Sequence, residues 1–547
     1  MKLRLLTILA LPFLTAHASA QIATPGSPAS FGPEFDSDVP VVVMPAPDVA
    51  ALMAEDALRQ DGPYRYGALI ETSIGCQESG RWDQAATGEL VWRVRIASPG
   101  AYSLSVVFSE FEIPAGGKVF LYDSARTVVL GAFTEKNHQA NRMLAVQPIA
   151  GDEFVIEYSQ GLDVSAEPRL RVGQVVHDYR GAFAKNGPNL PLTAEFCLFD
   201  INCPIGAPYQ DIKRAVFQVF MGGGQCSAGL LNNTAEDGTP YFLTANHCGN
   251  MTNVSAIFDY EHSGCETGSA SQSRVISGAT LLAQNVNYDS QLYVLSSPPP
   301  STFRPFYAGW DRRIFGVHPE PAISISHPAG LPKKIAIDTH GAAQNGTNWT
   351  TAWTTGRLEG GSSGSPLFNG EQRVLGPACC VSNFLCGNQW ATYGRFGAFY
   401  NARNLGQWLG GDLQGYLDGY DPFLAYSTIF NGLGTNPNVY VSLTAPALGT
   451  TWTARIDATS HAGATGTWIF GQGASIPGQN VAFGELLIDL GSPRHFVSFA
   501  PVSSGMATHD NAIPNNPLLA GMLSYTQALI MGGGNRQLTN GVALHIK

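Results

Sequence analysis

Charge is scarce in this chain. Asp, Glu, Lys and Arg make up only 13% of its 547 residues, against ~25% in an average globular sequence. The deficit, with 61 glycines, 35 prolines and short recurrent runs of Val, Thr, Tyr and Phe, favours sheet and turns over helical bundles. No basic cluster is present, and the formal net charge is −11, which excludes an electrostatic nucleic-acid footprint. Beyond the first segment no apolar run reaches ~18 residues, so no membrane span is expected. Cysteine is absent after Cys386 and nearly so before Cys197, where Cys76 stands alone; eight of the nine lie between Cys197 and Cys386. The odd total leaves at least one thiol unpaired within the chain. His461, His495, His509 and His545 are scattered rather than spaced as ligands. Neither a cofactor nor a metal is expected, and no repeat with a period of ~20–50 residues is visible.

What is present sorts into segments. Lys2 and Arg4, the apolar Leu5 to Leu14 and the Ala18-Ser19-Ala20 site read as a signal peptide (1–20) cleaved after Ala20. Export makes disulfides plausible and places the protein outside the cell, in the periplasm or on the cell surface. Residues 21–60 are rich in Pro and Ala and read as a linker-like lead-in. Within 61–192, runs such as Val91-Trp92-Arg93-Val94-Arg95-Ile96 and Tyr102-Ser103-Leu104-Ser105-Val106 alternate, with Pro99-Gly100 and Gly116-Gly117 as turns; they predict a β-sandwich. Arg180 to Leu192 is a connector centred on Lys185-Asn186-Gly187-Pro188. Residues 193–421 hold the cysteine cluster, with one clear helix around Ala402 to Leu409. Residues 422–547 form a β-rich accessory module, for adhesion, substrate binding or secretion.

Two stretches of the central segment carry chemistry. Tyr241-Phe242-Leu243-Thr244-Ala245-Asn246-His247-Cys248 offers a histidine at the end of an apolar run, and Gly360-Gly361-Ser362-Ser363-Gly364-Ser365-Pro366 a serine in a glycine-rich turn. Serine is a poor nucleophile until a base takes its proton and backbone N–H groups face the developing oxyanion. Histidine, with an ordinary pKa near ~6.5, serves as base and then acid.

In this order the motifs resemble the lysyl endopeptidase family of secreted bacterial serine proteases, a branch of the chymotrypsin-like fold. The resemblance also covers Asp211-Ile212-Lys213-Arg214-Ala215-Val216, Ala308-Gly309-Trp310-Asp311, His327-Pro328, Tyr393-Gly394-Arg395 and Leu417-Asp418-Gly419. It implies an all-β chain: a chymotrypsin-like double β-barrel catalytic domain, flanked by an N-terminal β-sandwich pro-region and the C-terminal module. It implies Ser363 as nucleophile, His247 as base, and the N–H groups of Gly361 and Ser363 as the oxyanion hole. Asp289, heading an alternating strand, is the expected orienting acid; Asp259 is the rival. Ser362 and Ser365 are not favoured by the frame. The resemblance further implies the bridges Cys197–Cys386, Cys203–Cys265 and Cys226–Cys248. Cys379-Cys380 has no counterpart, and a vicinal bridge and free thiols both stay open.

Lysine cleavage needs an acid against the substrate ammonium. The family places it just before Tyr-Gly-Arg. Here Ala391 takes that position, after Trp390, and Cys379 stands where the family has a histidine. Glu359 is the other acid in reach, with Arg357 nearby. The pocket candidates are thus Glu359, Cys379, Trp390 and Ala391; Trp390 and Ala391 fit an uncharged P1 residue about as well. The expected protein is a monomeric secreted serine endopeptidase, made as a zymogen, whose partners are protein or peptide substrates and its own pro-region. A catalytically silent surface- or polymer-binding protein on the same fold is the alternative.

Overall fold

The computed structural model describes all residues except 1–22, 34, 37, 59–61, 183–196, 314–316, 318, 388, 412–414 and 520. The signal peptide with its cleavage after Ala20 and most of the expected connector lie outside the described residues. The chain divides into two compact units, Met1–Tyr420 and Asp421–Lys547. Strand dominates both, and among the described residues no helix is long and apolar enough to cross a membrane.

Alternating strands of the first unit's N-terminal part stack into two sheets. One runs Val41–Val43, Leu90–Ala97, Glu153–Gln160, Lys118–Tyr122, Val129–Phe133, with Arg81–Gln84 on the far side of Leu90–Ala97. The other runs Gly67–Gly75, Arg169–Asp178, Ser103–Glu112, Leu144–Ala150. Trp92, Val94 and Ile96 face Phe108, Val106 and Val175 in one core. Arg93 departs from simple alternation, because it is only 1% exposed. Its guanidinium donates to the Asp36 carbonyl and to Asp83 Oδ2, each at 2.7 Å, and lies over the Phe35 ring. Segment 21–60, expected as a lead-in, supplies that cover. Val41–Val43 adds a parallel strand to Leu90–Ala97, and Val49–Leu58 forms a helix. Asp56 on that helix pairs with Arg65 and Arg180, both at 2.6 Å.

The central segment builds two curled antiparallel sheets. The first orders Arg274–Ser277, Ser255–Phe258, Val216–Met221, Gly224–Leu231, Tyr241–Thr244, Ser290–Leu295, Ala279–Asn285. The second orders Phe199–Asp200, Lys334–Asp338, Ala322–Ser326, Pro366–Phe368, Val374–Val381, Trp390–Gly394, Asn348–Ala352, Ala343–Asn345. Phe217, Phe242 and Leu292 of the first share a core with Ile323, Phe368 and Val374 of the second. The helix expected at Ala402 to Leu409 is two pieces, Phe396–Arg403 and Gly406–Leu409. Asn404, left-handed at φ 50°, caps the first and breaks the run. Four disulfides form: Cys197–Cys386, Cys203–Cys265, Cys226–Cys248 and the vicinal Cys379–Cys380. Cys76 remains a buried thiol. Closing a loop as long as that of Cys197–Cys386 contributes ~4–5 kcal/mol in the chain-entropy view.

The N-terminal sandwich docks on the first curled sheet. Tyr64–Arg65 pairs antiparallel with Gly224–Gln225, and the Tyr66 and Gly67 N–H groups both donate to the Gly223 carbonyl. Ser277 Oγ donates to the Ala145 carbonyl at 2.7 Å. A shared apolar cluster includes Tyr66, Val176, Phe220 and Ile257.

The second unit is a β-sandwich of its own. A sheet ordered Tyr426–Phe430, Asn535–His545, Leu523–Gly532, Ala464–Gln472, Arg494–Pro501 packs on Tyr440–Ser442, Thr451–Asp457, Met506–Ala512. Tyr440, Trp452, Ile469 and Val542 lie between them.

Candidate active site

Register brings the histidine and the aspartate together. Tyr241–Thr244 pairs with Ser290–Leu295 so that Thr244 faces Gln291. Two residues beyond that pair the chain reaches Asn246 on one side and Asp289 on the other. The His247 N–H donates to Asp289 Oδ1 at 2.8 Å, and His247 Nδ1 meets Oδ2 at 2.7 Å. The two contacts fix the carboxylate plane and the ring together. Asp289 closes a short turn, Val286–Tyr288, and is left-handed at φ 43°, a conformation that Asp and Asn tolerate better than most residues. The Cys226–Cys248 bridge holds the neighbour of His247 to the adjacent strand. Asp259, the rival acid, pairs with Arg274 instead.

The three serines of the second motif differ in environment. Ser362 is 1% exposed and Ser365 fully buried. Ser362 Oγ accepts from Ser326 Oγ at 3.0 Å and from the Glu359 N–H at 3.2 Å; Ser365 Oγ meets Ser324 Oγ at 3.2 Å. Ser363 alone of the three is half-exposed, and its Oγ has no hydrogen-bond partner among the described residues. Gly364, at φ 81°, brings this turn against the histidine's: a Cβ there would lie 2.2 Å from Thr244 Oγ1 and 2.9 Å from the Ala245 nitrogen.

The backbone beside Ser363 is held from behind. The Gly360 carbonyl accepts from the Ala329 N–H at 2.6 Å and the Ser363 carbonyl from the Ser227 N–H at 2.8 Å. The Gly361 carbonyl accepts from Ser227 Oγ at 2.9 Å and Gln225 Nε2 at 3.3 Å. The N–H groups of Gly361 and Ser363 have no acceptor among the described residues, as a site for an incoming oxyanion requires. Gln225 and Ser227 were missed by motif reading. Their one signal is that they are polar on a strand, Gly224–Leu231, that is buried throughout. Gly361 is left-handed at φ 93°, and a Cβ would lie 2.0 Å from Gln225 Oε1. Gly361→Ala is therefore expected to displace one donor and lower kcat by about 10²–10³-fold, with little change in KM. Steady-state kinetics on a peptide ester checks this, and an unchanged kcat would remove Gly361 from the site.

The pocket candidates are spread unevenly. Glu359 is spent on Arg357, with which it forms an ion pair; burial pushes the Arg357 pKa down. Ala391 is fully buried in a cluster with Trp349, Trp353 and Tyr393, while Trp390 is 58% exposed. Cys379 comes closest to the chemistry: its Sγ, a ring nitrogen of His247 and a carboxylate oxygen of Asp289 lie within 4.8 Å of one another.

A buried charge cluster stands behind the serine turn. Burial opposes the charge of Glu261, but Lys333 and Lys213 outweigh it and hold its carboxyl down at about 2; Lys213 Nζ is 2.6 Å and Lys333 Nζ 3.3 Å away. Burial, with Lys333 beside it, pushes His327 down to about 3. In acid the unfolded chain binds protons that these folded groups refuse. Their contribution is complete above the ordinary pKa of each, 4.5 for Glu261 and 6.5 for His327, and is lost as pH falls toward about 2 and about 3. For Glu261 this amounts to about 3 kcal/mol. Glu261→Gln in a Ser363→Ala background is expected to lower stability at pH 7 and flatten its decline below pH 4.5. Denaturant midpoints measured across pH check it, and a parallel pair of curves would show that the ion pairs contribute nothing.

Comparison with known proteins bears on the same segment. Residues 193–390 match the family model "Lysyl endopeptidase, C-terminal domain". Among solved structures, a thermostable serine protease from an extremophilic microorganism aligns at 16% identity over 35% of this chain and 95% of its own, with a TM-score of 0.27. An inactivated protease paralogue of the scabies mite aligns at 14% identity over 35% and 92%, with a TM-score of 0.27. A Glu endopeptidase aligns at 15% identity over 36% and 91%, with a TM-score of 0.26. The family match spans both chemical motifs and nearly all of the paired sheets that carry them, and residues 193–390 are similar to the C-terminal domain of lysyl endopeptidase-like serine proteases.

Proposed function

We propose that this protein is a secreted serine endopeptidase that cuts peptide bonds through Ser363, His247 and Asp289. The observation that carries the reading is the double contact of Asp289 with His247, on a turn packed against that of the half-exposed Ser363. His247 takes the Ser363 hydroxyl proton as Oγ attacks the scissile carbonyl. The tetrahedral oxyanion is met by the N–H groups of Gly361 and Ser363. His247 then passes the proton to the leaving amine, and water repeats the sequence on the acyl-enzyme. Asp289 holds the ring in the tautomer with its proton on Nδ1 and stabilises the imidazolium.

Two finer features belong to the same proposal. P1 is uncharged rather than lysine, since Glu359 is engaged by Arg357 and Ala391 brings no charge. The N-terminal sandwich is a pro-region removed by a cut in the 181–195 connector, which falls largely outside the described residues. Its strand Tyr64–Arg65 lies on Gly224–Gln225, and the Tyr64 ring packs against Gly360 beside the serine turn.

A fluorophosphonate probe on the processed protein is expected to label Ser363. A processed protein that stays unlabelled would favour the silent binding protein instead. Cleavage of a peptide library settles P1: a strict preference for lysine would refute the uncharged pocket.

A further inference from the structure

The vicinal pair Cys379–Cys380 has no role in the mechanism, yet it sits where the mechanism happens. Both cysteines lie on Val374–Val381. The preceding residue is tied to the serine turn: the Gly364 N–H donates to the Ala378 carbonyl at 2.8 Å, and the Ala378 N–H to the Ser365 carbonyl at 2.9 Å. Register shifts between Ala378 and Cys380, leaving Cys379 as the extra residue of a bulge. These backbone contacts set the position of Cys379 independently of its bond to Cys380. Its sulfur thereby comes within 4.8 Å of donor atoms of His247 and Asp289, which hold each other in place.

In the disulfide, that sulfur is a poor ligand. As a thiolate it is a soft donor beside an imidazole and a carboxylate, three protein ligands of the kind that bind Zn²⁺ with a fourth position open. We propose that reduction of Cys379–Cys380 turns the active site into an inhibitory site for Zn²⁺, or a similar thiophilic divalent ion, built from Cys379, His247 and Asp289. The switch is chemically complete with a dithiol as reductant. Two electrons and two protons pass to the cysteine pair, and the dithiol closes to its own disulfide. The metal then displaces the Cys379 thiol proton to solvent. Bound metal occupies His247 and Asp289, so the oxidised protein is competent and the reduced protein is silenced by the ion. Cys380 is exposed and Cys379 half-exposed, whereas Cys226 and Cys248 are buried, so a dithiol reaches the vicinal bridge before that one. Metal binding stands on these three side chains alone; only the inhibition rests on the proposed peptidase function.

Cys380→Ser in the full chain frees Cys379 without any reductant. Co²⁺ added to this variant is expected to give a thiolate-to-cobalt absorption band in the near ultraviolet, removed by Zn²⁺. Fluorophosphonate labelling of its Ser363 is expected to fall with Zn²⁺ and return with a chelator. Oxidised wild-type protein gives no band, and dithiol treatment produces it. Cys379→Ser is expected to lose at least about 10-fold in cobalt affinity, since disturbing even the outer partner of a metal ligand costs that much. If Cys380→Ser fails to fold, dithiol-treated wild-type protein decides. No band in a free-Cys379 protein, or an equal band in Cys379→Ser, overturns the proposal. Strong metal-free labelling without a band sinks the metal site and keeps the peptidase; a band without labelling does the reverse.

Discussion

Ser363→Ala is expected to lower kcat by about 10⁴–10⁶-fold while leaving the protein folded. The hydroxyl oxygen is the only heavy atom lost, and it has no hydrogen-bond partner among the described residues. The backbone contacts of the turn, including the Ser227 N–H on the Ser363 carbonyl at 2.8 Å, do not involve it. A half-exposed serine without partners is worth about 0.5 kcal/mol or less to stability. Substrate binding and the oxyanion donors survive, so KM should hold and a small rate above water should remain. Ser362→Ala and Ser365→Ala are the internal controls: both remove buried hydroxyls with partners and should affect stability before chemistry. Kinetics and thermal melts on the three variants separate the roles. Comparable activity in wild type and Ser363→Ala would dismiss Ser363 as nucleophile.

Asp289→Asn is expected to cost about 10⁴-fold in kcat. Asn tolerates the left-handed backbone at this position, so the turn is preserved and the effect is chemical. Its amide oxygen can still accept from the His247 N–H, as Asp289 Oδ1 does at 2.8 Å. The amide nitrogen then faces Nδ1, which can only accept from it. The ring proton moves to Nε2, and the nitrogen that should take the serine's proton is already occupied. KM should change little, because the carboxylate orients the ring rather than the substrate. A loss below about tenfold would be too small for an orienting acid and would reopen the assignment.

Much of the geometry of the proposed site was readable because it is local. His247 follows an apolar strand and Ser363 lies between glycines, and each arrangement is set by its own few residues. Asp289 was readable because it heads the strand that pairs with Tyr241–Thr244. Gln225 and Ser227 were not, since they act on Gly361 across more than a hundred positions of chain, and nothing in Gly224–Leu231 names that partner. The Val49–Leu58 helix escaped because no residue of it is buried; without an apolar stripe there was no periodicity to see. Arg93 looked like an outward-facing position until the chain around Phe35 and Asp36 covered it. The bond between Cys379 and Cys380 was undecidable from adjacency alone, because neighbouring cysteines join only when the backbone allows it.

The bridge between Cys197 and Cys386 spans 189 positions and encloses both chemical motifs. A peptidase is exposed to copies of itself, and its surface loops are the natural places for a stray cut. A single break anywhere between the two cysteines leaves both fragments on one covalent molecule. The fragments stay aligned by their paired strands, so such a nicked molecule is expected to migrate as one species until reduced and to keep its activity. The same bond that steadies the fold thus gives the enzyme a tolerance of its own autolysis.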